Sequence, residues 1–313
     1  MLAIYLFLGF NIFKEISTEE QGIKLIKVAE VNVEKAHKNC ASNPIYHSRF
    51  QNLEKALTEL FLKELNSQDS IFINIAPNLI KKVALFLSGM AFRPAAIGVC
   101  GVTASGKSTI VLDAIEIIEN FAQEFLQENV ITRINTDDYY YDRSEEVKKA
   151  GSFAEFAKNY DLDVPDAIEL SLMKTHVQML LNRNEVRLPK YDMSGTAKRF
   201  DNHTLAKPSS VIISEGLYTL VDSVADVFDF KIYVDIDTDV QKKRFFERAE
   251  QRGLGSSADR IYENASQKAS IYINPCAKNA DIILNGEISR EKYKKFVTSF
   301  VRLVEYTYYN FAV

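Results

Sequence analysis

The sequence predicts an α/β fold, a mostly parallel sheet flanked by helices, with a helical extension on its N-terminal side. From residue 94 onward, apolar runs short enough for buried strands alternate with amphipathic helical stretches. A glycine-rich turn joins the first such strand to the first such helix. Residues 1–90 lack that alternation and read as mostly helical.

Each element follows in order. Met1–Phe13 is apolar, but a bilayer span needs about 20 such residues. It lacks the basic start and small-residue cleavage site of a secretory signal, so it reads as packed structure in a cytoplasmic protein with no membrane partner. Phe50–Leu65 sets Phe50, Leu53, Leu57, Leu60, Phe61 and Leu65 at three- and four-residue spacings, which predicts a helix. Ile71, Ile73 and Ile75 alternate as a short strand does. A change of character at Met90–Pro94 divides the helical region, 1–90, from the α/β domain, 91–313.

Within that domain, Ala95–Cys100 predicts a buried strand and Thr109–Leu126 a helix. Val130–Asn135 is a second strand, and Asp166–Leu181 a helix with Pro165 suited to its first turn. Val211–Ser214 and Phe230–Ile236 are further strands, followed by helices Val240–Arg252 and Asp259–Tyr272. A short strand, Ile282–Leu284, and a helix, Arg290–Tyr308, end the chain. Ligands of such sheets bind at the carboxyl ends of the strands, so the chemistry is expected there.

Composition excludes several classes. With 38 basic and 42 acidic residues the net charge is −4, and no basic block offers a stripe for nucleic acid. The three cysteines, Cys40, Cys100 and Cys276, are too few and too scattered for a disulfide framework or a zinc site. His37 and His47 stand alone, without a ligand partner nearby in sequence.

After the first strand stands Gly101-Val-Thr-Ala-Ser-Gly106-Lys107-Ser108, a G-x-x-x-x-G-K-[ST] phosphate loop. Its glycines let backbone N–H groups turn around phosphate oxygens. Lys107 reaches the β- and γ-phosphates, and the Ser108 hydroxyl suits Mg²⁺. Thr103, Ala104, Ser105 and Thr109 complete the loop and the first helical turn, whose positive end faces the anion. A chance glycine turn is the alternative, but the strand before and the helix after supply the context the motif requires. The pattern predicts a P-loop NTPase fold and a bound nucleotide.

The second strand runs into Asp137 and Asp138, and the strand at Val211–Ser214 runs into Glu215-Gly216. A carboxylate at a strand end can accept a proton from a hydroxyl nucleophile or hold Mg²⁺. The same residues also suit an Asp-rich turn, a helix N-cap or a solvated loop start, and position alone leaves both readings open.

The assembled residues resemble the uridine kinase/phosphoribulokinase family of P-loop kinases, over roughly 94–286. The pieces are the phosphate loop; Thr136-Asp137-Asp138-Tyr139-Tyr140; Tyr160-Asp-Leu-Asp-Val-Pro-Asp-Ala167; Leu188-Pro-Lys-Tyr-Asp192; Ile213-Ser-Glu-Gly-Leu217; Lys231-Ile-Tyr-Val-Asp235; Arg244 through Gly253; and Pro275 through Ile283. The ordered set looks most like uridine kinase. The resemblance implies ATP and Mg²⁺ as cofactors and a small-molecule acceptor, uridine or cytidine at its 5′-hydroxyl. It implies Asp137 as the catalytic base, Asp166 on the acceptor's sugar hydroxyls and Tyr191 in the base pocket. It places Glu215 near Mg²⁺, and Arg244, Arg248 and Arg252 in the helix and lid closing over the phosphates. The lid is expected near Arg252–Ser257.

One position departs from the pattern. Where uridine kinases usually carry a base-reading His, this sequence has Thr196. The extension of ninety residues is also unlike short uridine kinases and similar to that of bacterial pantothenate kinases, which makes pantothenate kinase the second reading. A nucleotide-binding switch, whose N-terminal helices engage a protein partner, is the reading from another class. A homo-oligomer is expected from the resemblance alone.

Overall fold

The computed structural model describes residues 43–64, 81–82, 84–86, 88–89, 92–125, 130–253, 255–287, 289–291, 293–294 and 298. The apolar stretch Met1–Phe13, the alternation Ile71–Ile75, His37 and Cys40 lie outside the described residues.

The first described helix, α1, runs over Pro44–Glu64 and buries Tyr46, Phe50 and Leu53. It starts earlier than the apolar spacing indicates, with the Asn43 side chain accepting from the Ile45 N–H (2.9 Å). The strands of the main sheet are β1 (Ala95–Gly101), β2 (Ile131–Asn135), β5 (Val211–Gly216), β6 (Phe230–Asp235) and β7 (Ile282–Asn285). Their order is β2-β5-β1-β6-β7, and every neighbouring pair is parallel. All six residues of β5 are buried, as expected of a strand covered on both faces. The expected parallel sheet is therefore present. The strand order splits on either side of β1, so a crevice opens at its carboxyl end.

Helix α2 (Lys107–Phe125) follows β1 directly across the phosphate loop. Short helices α3 (Ser144–Ala150) and α4 (Phe153–Phe156) follow β2. Helix α5 (Leu170–Leu181) fully buries Met173, Val177 and Leu180 in a core shared with Ile212, Tyr218 and Leu220. Helix α6 (Thr238–Gln251) is N-capped by Asp237, whose side chain accepts from the Asp239 and Val240 N–H groups. Helix α7 spans Ala258–Lys268 and passes into a wide turn at Ala269–Ile273. The described residues at 290–298 are helical.

One expectation is corrected and one element is new. The helix predicted from Asp166 begins only at Leu170; Pro165–Ala167 forms a 3-10 turn and Ile168 is extended, where it bridges Tyr140. A two-stranded antiparallel hairpin, β3 (Val186–Tyr191) and β4 (Arg199–Ala206), was not expected. Positions 200–205 of β4 are all exposed, so the alternation that marks a half-buried strand is missing.

Before β1, residues 84–86 are buried, with the Phe86 ring edge-on to Phe230 (5.9 Å between centroids). Lys82 pairs with Asp281 at 3.3 Å. This segment therefore packs on the β6–β7 side of the sheet. Among the described residues, no helix is long and apolar enough to cross a membrane.

Candidate active site

The phosphate loop is held by its surroundings. Ala104 (φ 61°) and Gly106 (φ 94°) adopt left-handed backbone, which turns the chain tightly enough to form the cradle. Gly101 has a different task from the flexibility expected of it: a Cβ there would lie 2.6 Å from the Val234 carbonyl oxygen and 2.9 Å from Ser105 Oγ. It lets β1 close against β6 and the loop. Gly286, after β7, is equally constrained, since a Cβ would lie 2.1 Å from the Ser105 carbonyl oxygen.

Helix α6 grips the same loop. Arg244 Nη1 donates to the Gly286 carbonyl (2.8 Å), Arg248 Nη2 to Thr103 Oγ1 (2.7 Å) and Gln241 Nε2 to the Thr103 carbonyl (3.1 Å). Arg244 and Arg248 thus use one side of α6 on two segments, the residue after β7 and the phosphate loop. Arg252 is exposed at the end of α6 and lines a smaller cavity together with Thr103 of the loop.

Three charges meet at the strand ends. Half-buried Lys107 donates to the Val102 carbonyl (3.3 Å); burial lowers its pKa, and Asp137 and Glu215 act against that. Asp137 sits in the 3-10 turn Thr136–Tyr139 behind β2, its N–H bound to Asn135 Oδ1 (3.1 Å). Burial raises its carboxyl pKa above the ordinary 3.8, with Lys107 opposing. Glu215, 1% exposed at the end of β5, accepts from Ser108 Oγ at 2.7 Å and from Arg133 Nε at 3.1 Å. Gly216 next to it leaves room for the turn: a Cβ there would lie 1.4 Å from Thr136 Oγ1.

Asp138 faces the hairpin. It accepts from the Tyr191 N–H (3.3 Å) and pairs with Lys190 (3.0 Å), beside an irregularity in register between Leu188 and Lys190. Arg199 Nη1, at the other strand, donates to Glu169 Oε2 (2.8 Å), and the Arg143 N–H to the Ala197 carbonyl (2.8 Å). The hairpin is thereby tied to the turn that carries Asp137.

Two cavities open here. One, of about 530 Å³, lies between the loop residues Ala104, Gly106 and Lys107 and the cations Arg244, Arg248 and Arg290. The other, of about 180 Å³, is lined by Thr103, Asp163, Tyr218, Arg248 and Arg252 with apolar residues of α6 and α7. Arg248 belongs to both walls.

Asp166, Tyr191 and Thr196, the residues expected to hold the acceptor, line neither cavity, and neither does Asp137. Asp166 is exposed on the turn Pro165–Ala167 and does not line the second cavity, because that turn points it outward. The carboxylate that does is Asp163, which accepts from Asn264 Nδ2 at 2.8 Å and whose pKa burial raises. Tyr191 is buried in the core with its ring 5.2 Å from Tyr140, and burial pushes its hydroxyl up to about 12. Thr196 is exposed and donates to Asp192 Oδ2 (2.6 Å), capping its own loop. Sequence reasoning missed Asp163, Tyr218, Gln241 and Arg133. Asp163 lay in a quoted motif, whereas Arg133, at the exposed position of β2, carried no signal.

Among the described residues, no group of three or more His, Cys, Asp or Glu could hold a metal ion. Ser108 and Glu215 still fit Mg²⁺. They present hard oxygen donors side by side at the loop, and Mg²⁺ takes one or two such ligands together with phosphates and waters.

A parallel sheet, a phosphate loop at its central strand and carboxylates at the neighbouring strand ends define a phosphoryl-transfer protein of the P-loop class. The model of the phosphoribulokinase/uridine kinase family matches residues 96–290, and the chain belongs to this family. It is 34% identical over 193 residues to a uridine kinase of Halobacterium salinarum, covering 60% of this chain and 79% of that one. A uridine kinase of Clostridium perfringens is 34% identical over 197 residues, covering 61% and 87%. The phosphoribulokinase structure from Rhodobacter spheroides has a TM-score of 0.44 at 16% identity, over 63% of this chain and 75% of that one. The protein is a small-molecule kinase.

Proposed function

We propose that this kinase transfers the γ-phosphoryl group of Mg²⁺-bound ATP to the 5′-hydroxyl of uridine or cytidine. The observation that carries the reading is Arg248, which lines both cavities and, with Lys107, acts on the Asp137 carboxylate. The 530 Å³ cavity takes the nucleotide and the 180 Å³ cavity the acceptor. Loop N–H groups and Lys107 hold the triphosphate; Ser108 and Glu215 hold Mg²⁺, which supplies charge neutralisation to the phosphates when bound. Asp137 accepts the proton of the acceptor hydroxyl as its oxygen bonds to the γ-phosphorus. The bond from that phosphorus to the bridging oxygen breaks, and ADP leaves. Arg248 and Arg244 offset charge on the transferred group. Asp163 takes the role expected of Asp166, accepting hydrogen bonds from the acceptor's sugar.

The nucleoside assignment rests on the relatives named uridine kinase and on that cavity carboxylate. We assign residues 91–313 to the kinase domain and 1–90 to a helical layer packed on it, a reading supported by the Phe86–Phe230 contact. The test is a coupled assay of the full chain with ATP, Mg²⁺ and uridine, cytidine, adenosine, pantothenate or ribulose 5-phosphate. Uridine and cytidine should yield 5′-monophosphates. Transfer confined to pantothenate or ribulose 5-phosphate would overturn the nucleoside assignment. Tight ATP binding with no transfer to any of them would favour the nucleotide-binding switch.

A further inference from the structure

Tyr218 is fully buried two residues beyond the end of β5, and its hydroxyl has no hydrogen-bond partner. A buried phenol normally finds one, and a native protein that leaves it without a partner calls for an explanation. Ser105, Thr136, Tyr191 and Thr219 also carry buried hydroxyls without partners, but none of them lines either cavity, whereas Tyr218 lines the smaller one. On the same wall stands Asp163, one carboxylate oxygen held by Asn264. Leu217, Phe245, Ile261 and Ile273 make much of the remaining surface apolar. Burial, with Asp163 and Asp161 nearby, raises the Tyr218 pKa, so its proton stays in place throughout the working range.

We infer that Tyr218 is a specificity-determining residue that donates its hydroxyl to the acceptor, forming with Asp163 a two-point site for adjacent hydroxyls. One hydroxyl of the diol donates to the Asp163 carboxylate, and its neighbour accepts from the phenol. The diol is that of the ribosyl group the proposed nucleoside acceptor carries; the residue added to its reading is Tyr218. The inference rests on the nucleoside reading above and adds a residue to it.

The test compares wild type with Tyr218→Phe, using uridine, 2′-deoxyuridine and 3′-deoxyuridine with ATP and Mg²⁺, alongside a thermal unfolding scan. Tyr218→Phe should raise the KM for uridine about tenfold or more, since a site built to bond a hydroxyl discriminates strongly. The KM for ATP should stay unchanged, and the preference for uridine over one of the deoxy analogues should shrink. A purely structural hydroxyl would move none of these, and removing it would leave the unfolding midpoint equal or higher. Normal wild-type transfer to uridine with an unchanged KM in Tyr218→Phe overturns the role of Tyr218 alone. Wild type that uses both deoxy analogues as well as uridine overturns the diol site without recourse to the variant. Wild type that phosphorylates no nucleoside overturns the acceptor reading, and the diol site with it.

Discussion

The proposed nucleotide side and the proposed acceptor side of this site are built on opposite plans. Around the phosphate loop, contacts are closed within the protein: Arg244 on Gly286, Arg248 and Gln241 on Thr103, Ser108 on Glu215. On the acceptor side, walls come from Asp163, from Tyr218 and from α6 and α7, and the Tyr218 hydroxyl is left without a partner. Phosphates are the same in every nucleotide, so one local run of backbone can be shaped to them. An acceptor must be read by side chains, and these are gathered from segments far apart in sequence.

The comparison can be broken on either side. Gly286→Ala attacks the nucleotide side, because its Cβ would meet the Ser105 carbonyl oxygen and push the loop. Overpacking of this kind should raise the KM for ATP about 10- to 100-fold, with the KM for the acceptor little changed. Initial rates against each substrate, with the unfolding midpoint as a check on folding, measure this. A smaller effect sharpens the acceptor side. Asp163→Ala should raise the acceptor KM about tenfold, the cost of a lost hydrogen bond to a charged group, while Asp166→Ala stays within about twofold as an exposed substitution. Equal effects of the two would put the acceptor elsewhere.

Legibility in the sequence follows the same division. The phosphate loop and the strands around it were readable because their spacing is local; position placed Asp137 and Glu215 at strand ends, and only the family resemblance gave them roles. The run Tyr160-Asp-Leu-Asp-Val-Pro-Asp-Ala167 offers three aspartates, and only the 3-10 turn at Pro165–Ala167 decides which one faces the cavity. The hairpin was hidden because β4 has no buried face, although Asp138 and Glu169 bind it. Arg133 stands at the exposed position of β2, and its pairing with Glu215 depends on the parallel register of β2 and β5, with Asn135 opposite Glu215.

The central claim is that Asp137, held between Lys107 and buried surroundings, takes the acceptor's proton. The direct measurement is the rate of acceptor phosphorylation against pH for wild type and Asp137→Asn, with ATP binding measured in both. A base must be ionised, and burial raises this carboxyl above 3.8, so the wild-type rate should fall as pH drops through that raised value and level off above it. Asp137→Asn should bind ATP normally, transfer about 10²- to 10⁴-fold more slowly and lack the acid limb. A variant that retains near-full rate and the same acid limb would contradict the claim.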